Sequence, residues 1–512
     1  MTVIGRTRKG EYFDSITLMN VGRKVSAMEG VEDAAVVMGT AENKGILKAS
    51  DLMTEAFESA RDTDLLIAVR LQDADLSDAI FQAIDDELSA ARQRSDETTE
   101  ERPMSLRGGL ELLPDANLAV ISVAGRYAGD VAMQALEQGL HVMLFSDNVP
   151  IEKEVELKEF ARDKGLLVMG PDCGTAIING VPLAFANVVP RGRVGIVAAS
   201  GTGLQEVSCL LANEGCGISQ AIGTGGRDVK NRVGGIMFLE ALKALGEDED
   251  TDVIVLIAKP PDATVLQAVD ALVESLDKPV VSILLGADRT GLLDATTLEE
   301  AALMAAALTR GDDPASAEAL IADREAEINK VAEVQAQRLE GGRQYVRGLF
   351  SGGTFCTEAQ LLLADILVPL YANAPVAGVE ETEDLHTSKA HTLIDMGEDE
   401  FTVGRPHPMI DYSLRNKRIA QEAADPETAV ILLDVVLGYG SNMDPASELE
   451  EVVREAAGHV AVVCSVTGTA GDPQDRAHVV QTLEKAGAVV LPSNASACRC
   501  AGHIIRELEA AS

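Results

Sequence analysis

Arg191-Gly-Arg-Val-Gly-Ile-Val-Ala-Ala-Ser200-Gly-Thr-Gly203 is a short apolar run that ends in a glycine-rich turn. The run Val194 to Ala198 has the length of a buried strand, and Ser200, Gly201, Thr202 and Gly203 have the composition of a turn opening a helix. A strand that feeds a helix in this way is the repeating unit of a parallel sheet covered on both faces. Two more strands run into similar turns: Val346 to Phe350 into Ser351-Gly352-Gly353-Thr354, and Ala429 to Val435 into Gly438-Tyr439-Gly440-Ser441. A helix N-terminus at such a turn offers unpaired N–H groups and partial positive charge, and glycine lets an anion approach the backbone. All three turns are therefore candidate cradles for phosphate or an acyl phosphate.

Working outward, the same rhythm predicts strands at Leu118 to Val123, His141 to Phe145, Leu166 to Met169, Val253 to Ala258 and Val280 to Leu285, and later at Val460 to Ser465 and Ala488 to Leu491. The first hundred residues differ, with the β-α-β-β-α rhythm of a ferredoxin-like α+β module and a polar stretch, Arg92 to Arg102, read as a linker. Asp313 to Leu339 is rich in Ala, Glu, Lys and Arg and lacks Gly, which predicts a long connecting helix. The expected organisation is a ferredoxin-like module at 1–100, a Rossmann-like domain of CoA-binding type at 101–190, a flavodoxin-like domain at 191–312, a linker helix at 313–342 and a second flavodoxin-like domain at 343–512.

Lys and Arg number 43 against 82 Asp and Glu, a formal charge of −39. Such a surface repels nucleic-acid phosphates and anionic lipid, so neither is an expected partner. No apolar run approaches the roughly 18 residues that span a bilayer, and the odd count of scattered cysteines fits a reducing cytoplasm. Trp is absent and aromatics make up 3%, which argues against a base-stacking platform.

Gly404-Arg405-Pro406-His407-Pro408-Met409-Ile410-Asp411 places Arg, His and Asp in a proline-bracketed loop. Arg405 can grip a carboxylate or phosphate with two N–H groups, and His407 can move a proton near neutral pH, so Arg405, His407 and Asp411 are the candidate catalytic residues. Cys498, Cys500 and His503 lack the second cluster that a zinc site needs, and no metal is expected. Cys173, Cys356 and Cys464 lie near strand ends without an adjacent His to mark one as a nucleophile.

Met169-Gly-Pro-Asp-Cys-Gly174, Arg191 to Val197, Ser200-Gly-Thr202 and Gly223-Thr-Gly-Gly-Arg227 resemble, in order and spacing, the alpha subunit of succinyl-CoA synthetase. Phe401 to Asp411, Val430 to Ser441 and Cys464-Ser-Val-Thr-Gly-Thr469 resemble the carboxy-terminal domain of its beta subunit. With the amino-terminal module, the whole chain resembles the FdrA family of acyl-CoA synthetase-like proteins associated with purine and allantoin breakdown. The resemblance implies two glycine-rich cradles facing one anion site: Ser200, Gly201, Thr202 and Gly203 on one side, and Gly438, Tyr439, Gly440 and Ser441 on the other. Arg227 joins them as an anion-binding candidate.

The departures are informative. Leu285-Gly-Ala-Asp-Arg-Thr-Gly291 stands where the synthetase has its phosphohistidine loop, the first glycine-rich unit that helps hold CoA is replaced by the amino-terminal module, and the ATP-grasp domain is absent. These changes weigh against CoA as a cofactor and leave phosphate as a substrate. The resemblance implies a carbamoyltransferase subunit, in a complex with other chains, that converts oxalurate and phosphate into oxamate and carbamoyl phosphate. An acid-thiol ligase that borrows an ATP-grasp partner and a non-catalytic scaffold, with the amino-terminal module as a ligand sensor, are the alternatives.

Overall fold

The computed structural model describes residues 2–511 apart from 12, 14, 27, 29, 51, 97–102, 104, 288–292, 340 and 403–405. Packing divides the chain into one unit of Met1–Met104 with Glu398–His407 and another of Ser105–Gly397 with Pro408–Ser512.

In the first unit the order is β1 (Thr2–Arg8), α1 (Ser15–Ser26), β2 (Val31–Met38), α2 (Ala41–Ala49), α3 (Glu55–Glu58), β3 (Leu65–Leu71) and α4 (Ser77–Asp96). The strands form an antiparallel sheet of order β1-β3-β2. Strand side chains alternate between faces, and β3 uses both. Leu65, Ile67, Val69 and Leu71 meet Leu18, Val21 and Val25 of α1 and Phe81, Ile84 and Leu88 of α4, whereas Leu66 and Ala68 meet Leu47, Leu52 and Phe57. The ferredoxin-like rhythm is present, but residues 41–60 cover the sheet face that such a rhythm alone leaves bare. Residues 92–96, read from sequence as linker, continue α4, and 97–102 lie outside the described residues.

The second unit begins with α5 (Leu106–Leu112), β4 (Leu118–Ile121), α6 (Gly125–Glu137), β5 (His141–Leu144), α7 (Ile151–Asp163) and β6 (Val168–Met169), whose strands form a parallel three-stranded sheet. A hairpin of β7 (Thr175–Ile178) and β8 (Val181–Ala184) leads to β9 (Arg191–Ala198), α8 (Gly201–Asn213), β10 (Ile218–Gly223), α9 (Ile236–Glu247), β11 (Val253–Ala258), α10 (Ala263–Glu274) and β12 (Val280–Leu284). The hairpin extends the parallel strands antiparallel, giving the order β12-β11-β9-β10-β7-β8.

After α11 (Leu298–Arg310) and the 23-residue α12 (Ser316–Arg338) come β13 (Tyr345–Phe350), α13 (Gly353–Leu363), β14 (Leu370–Ala372), β15 (Glu380–Glu381) and β16 (His391–Asp395). The short α14 (Asp399–Thr402) falls with the first unit. The chain closes with α15 (Ser413–Ala424), β17 (Thr428–Val436), α16 (Pro445–Ala457), β18 (Ala461–Thr467), α17 (Arg476–Ala486), β19 (Val489–Leu491) and α18 (Asn494–Ala511). The second large sheet is parallel, with order β15-β14-β16-β13-β17-β18-β19.

One apolar core joins both large sheets. Val207 and Leu211 of α8, Ala301 and Ala305 of α11, Ile328 and Ala332 of α12, Phe355 and Ala359 of α13, and Ala497 and Ala501 of α18 all belong to it. The alanines let these helices approach closely, and the paired elements include α8 with α13 and α13 with α18. Among the described residues no helix is long and apolar enough to cross a membrane.

Candidate functional site

In each large sheet one central strand is flanked on both sides by strands that follow it in the chain. The chain leaves β9 for β10 on one flank and returns to β11 on the other, and β13 is flanked in the same way by β16 and β17. At such a switch point the following helices diverge and open a crevice at the carboxyl ends of the strands. The turn 199–203 sits at the first switch point and the turn 351–354 at the second.

These two turns meet. Ser200 Oγ and Thr354 Oγ1 are 2.5 Å apart, with either able to donate. Thr202 packs on the Gly352 backbone so closely that a Cβ there would stand 2.9 Å from Thr202 Cγ2. Ser200 is the N-cap of α8 and its Oγ accepts from Gly203 N at 3.0 Å. Gly352 caps α13 without a side chain, and the buried Asp395 carboxylate packs against Gly353 at the same turn. Two positive helix ends therefore converge, an arrangement that stabilises a phosphate or a developing oxyanion, while the Asp395 carboxylate opposes it.

The pairing expected from sequence, Ser200 with Gly438, is not what the structure shows. The segment 438–441 opens no helix, since α16 starts at Pro445 behind the Asp444 cap. Two of its backbone donors are also taken: Gly438 N donates to Gln474 Oε1 at 3.0 Å and Tyr439 N to Ala186 O at 2.9 Å. Gly440 packs on Phe185, and the buried Ser441 Oγ has no hydrogen-bond partner among the described residues. The turn fastens the 185–187 segment to the second large sheet.

Arg227 donates to Val149 O and pairs with Glu154, both at 2.9 Å. That ties the Gly225-Gly226-Arg227 loop to α7. Beside it Lys158, fully buried, holds Glu154 Oε1 and Asp228 Oδ1 at 2.8 Å and Thr224 O at 3.0 Å. Asp411 accepts from Ser413 N at 2.8 Å and from Ser413 Oγ, which turns the chain into α15. Arg405 lies outside the described residues, as does most of the loop 285–291, and half-buried His407 falls with the first unit.

Lys259 was not singled out by sequence reasoning. It follows β11 on the far lip of the first crevice, is half-buried, and forms no ion pair among the described residues. It lies close enough to Cys356, in the first turn of α13, to oppose part of the rise that burial gives that thiol. The signal was available in Lys259-Pro260-Pro261, a cation and two prolines at a strand end. All seven cysteines are buried and free, and burial pushes the Cys173 and Cys464 thiols up to about 12. None is poised as a nucleophile.

Behind the turns, burial raises two carboxyls. Glu206 of α8 rises from 4.5 to about 7 and Glu358 of α13 to about 6. Between pH 4.5 and 7 the folded chain keeps protons that the unfolded chain has lost, so stability is greatest below that window and falls as pH rises through it. For Glu206 the full span is on the order of 3 kcal/mol, at about 1.4 kcal/mol per pH unit. Urea midpoints at pH 5 and pH 8 are expected to drop for the natural chain and to drop less for Glu206→Gln. Equal slopes in the two proteins would refute the assignment.

Comparison with known proteins adds three family matches: "AllF, heavy metal-associated domain" over residues 1–103, "CoA binding domain" over 190–286 and "CoA-ligase" over 349–504. The uncharacterized protein YahF of Escherichia coli is 39% identical over 500 residues, which cover 94% of this chain and 95% of YahF. The alpha subunit of ADP-forming succinate–CoA ligase from Staphylococcus epidermidis is 28% identical over 175 residues, 33% of this chain and 57% of that subunit. The solved structure of PH0766 from Pyrococcus horikoshii covers 80% of this chain and 88% of its own at 17% identity, with a TM-score of 0.33. Residues 1–103 contain neither Cys nor His, so the heavy metal-associated module here offers no thiolate or imidazole ligand for such an ion.

Proposed function

For a chain that belongs to the FdrA family and is built like a succinyl-CoA synthetase, we propose that the site is a phosphate cradle for carbamoyl transfer between oxalurate and phosphate. The convergence of the α8 and α13 N-termini at the Ser200–Thr354 contact supports this reading most directly. In the proposed reaction a phosphate oxygen attacks the carbamoyl carbonyl, and a tetrahedral oxyanion forms. The carbamoyl C–N bond then breaks, the phosphate proton passes to the departing nitrogen, and oxamate and carbamoyl phosphate leave. The backbone N–H groups of Gly201, Thr202, Gly353, Thr354 and Phe355 hold phosphate and oxyanion, and Lys259 adds a full positive charge that offsets the Asp395 carboxylate packed at the α13 turn.

The test is turnover of oxalurate with phosphate by the purified chain, alone and with the chains that co-purify with it. Carbamoyl phosphate is expected in the second sample at least, and none in either would exclude the reaction. Lys259→Ala is expected to raise the KM for phosphate about tenfold with a smaller change in kcat, because the ammonium acts on an anion already present before reaction. A KM within twofold of the natural value would remove Lys259 from the site.

The matches to CoA-binding and CoA-ligase families favour a second reading, an acid-thiol ligase. The turn at Ser200 lies inside the CoA-binding match, and its backbone N–H groups suit a phosphoryl group of CoA as well as inorganic phosphate. Calorimetric titration with CoA separates the two readings: heat of binding supports the ligase, and its absence supports the carbamoyl reaction.

A further inference from the structure

Glu206 and Glu358 occupy equivalent places, each the sixth residue of a helix that begins at one of the two facing turns. Each carboxylate reaches into the other half of the unit. Glu206, on the helix after β9, accepts from Thr467 Oγ1 at 2.5 Å at the end of β18 and from Asn494 N at 3.0 Å at the start of α18. Glu358, on the helix after β13, accepts from Leu298 N at 2.8 Å at the start of α11 and from Asn494 Nδ2 at 2.8 Å. Asn494 Nδ2 also reaches Phe355 O, 3.2 Å away in the first turn of α13. One buried asparagine therefore bridges both carboxylates, and all three residues are almost entirely shielded from solvent.

Buried groups of this kind are costly unless they are paired, and a paired network holds its elements in one arrangement; here both carboxylates and Asn494 Nδ2 are paired, and Asn494 Oδ1 is not. The cost is visible in burial's upward push on both carboxyls, which repulsion from Glu299 of α11 reinforces in each and repulsion from Glu358 reinforces in Glu206. Arg499 of α18 opposes this, pairing with Glu299 at 3.0 Å and pulling the Glu358 carboxyl down. The neighbouring thiols, Cys209, Cys356 and Cys498, are held protonated by burial. A hydrophobic contact would hold the two helices together without choosing their relative advance along their axes. Directional hydrogen bonds to Asn494 do choose it.

We infer that Asn494, by holding Glu206 of α8 and Glu358 of α13 together, sets the distance between the turns of Ser200 and Thr354, so that these three are positioning residues for the anion site. This inference rests on the proposed phosphate cradle, but the spacing of the turns can be measured without any anion. In a chain carrying Ser200→Cys and Thr354→Cys, the two new thiols lie across the observed hydroxyl contact, and diamide is expected to join them rapidly.

Adding Glu206→Ala, which removes both acceptors, is expected to slow disulfide trapping at least about tenfold. Glu206→Gln, which can keep an acceptor for Asn494 N and a polar partner for Thr467, should restore most of the rate. Should the alanine variant not fold, Asn494→Ala decides, since it keeps the backbone bond to Glu206 and removes the two side-chain bonds to α13, at Glu358 and at Phe355 O. The same Glu206 and Asn494 substitutions, placed in the natural chain, are titrated with sulfate, which carries a constant charge over the working pH. Affinity is expected to fall about fivefold in Glu206→Ala and Asn494→Ala, but not in Glu206→Gln. Trapping at the unaltered rate in the alanine variants would overturn the inference. If the natural chain takes up no sulfate, the phosphate reading falls, and the tie stands or falls on trapping alone.

Discussion

Asp434→Ala is expected to lower the urea midpoint of the second unit by the equivalent of about 3–5 kcal/mol, the usual result of deleting one partner of a buried ion pair. Asp434 is fully buried in β17, and its carboxylate accepts from Ser351 N and Ser351 Oγ at 2.7 Å and from Gly352 N at 3.0 Å. Arg415 Nη1, also buried, lies 3.2 Å from Asp434 Oδ1, its one ion pair among the described residues. Without the carboxylate two backbone N–H groups lose their acceptor and the guanidinium loses its counter-charge, keeping only the Asp434 carbonyl 2.7 Å from Nη1, in a place water does not reach. Because those N–H groups belong to the turn that begins α13, sulfate affinity is expected to fall as well. Hydrogen exchange at Ser351 and Gly352 provides a local check: protection equal to that of the natural chain would show that Asp434 does not anchor the turn.

Lys158→Met is expected to have an effect of similar size for the opposite electrostatic reason. The thioether fills much of the lysine's volume, so packing changes little. Two carboxylates, Glu154 and Asp228, then lose the ammonium between them. Asp228 also accepts from Phe238 N at 2.7 Å at the start of α9, so it remains fixed while its counter-charge is gone. Arg227 continues to face Glu154 from the outside but is 42% exposed and screened by solvent. A loss of about 3–5 kcal/mol in the urea midpoint is expected. A loss below about 1 kcal/mol, the size of an exposed ion pair, would mean that the ammonium's charge contributes little.

Much of the fold could be read from residue patterns, because buried parallel strands are short apolar runs and the turns that end them carry glycine and serine. The convergence of particular turns could not. It depends on which sheet edges face one another, and nothing local to Ser200 or Thr354 encodes that. The 438–441 turn differs from the expectation because strand-glycine-serine looks alike whether a helix begins at once or several residues later. Asp444-Pro445, followed by Glu448, is an N-cap signature that places the start of α16 correctly. The β7–β8 hairpin likewise carried its own mark, Asn179-Gly180 between two apolar runs. The cross-half role of Glu206 and Glu358 had no such mark, since a Glu in a helix reads as a solvated residue until its neighbours are known.

The connecting helix α12 gives the anion site a different kind of security. Its 23 residues, at about 1.5 Å each, reach about 35 Å, and Ile328 and Ala332 sit in the same core as α18 and α11. The helix is thus a covalent tether between the half that carries Ser200 and the half that carries Thr354. Were these halves separate chains, their encounter would depend on how much of each the cell made. Tethered, each meets the other at an effective concentration fixed by the linker, on the order of millimolar for short flexible connections. Dilution therefore does not disassemble the paired turns, and neither half can be made in excess of the other.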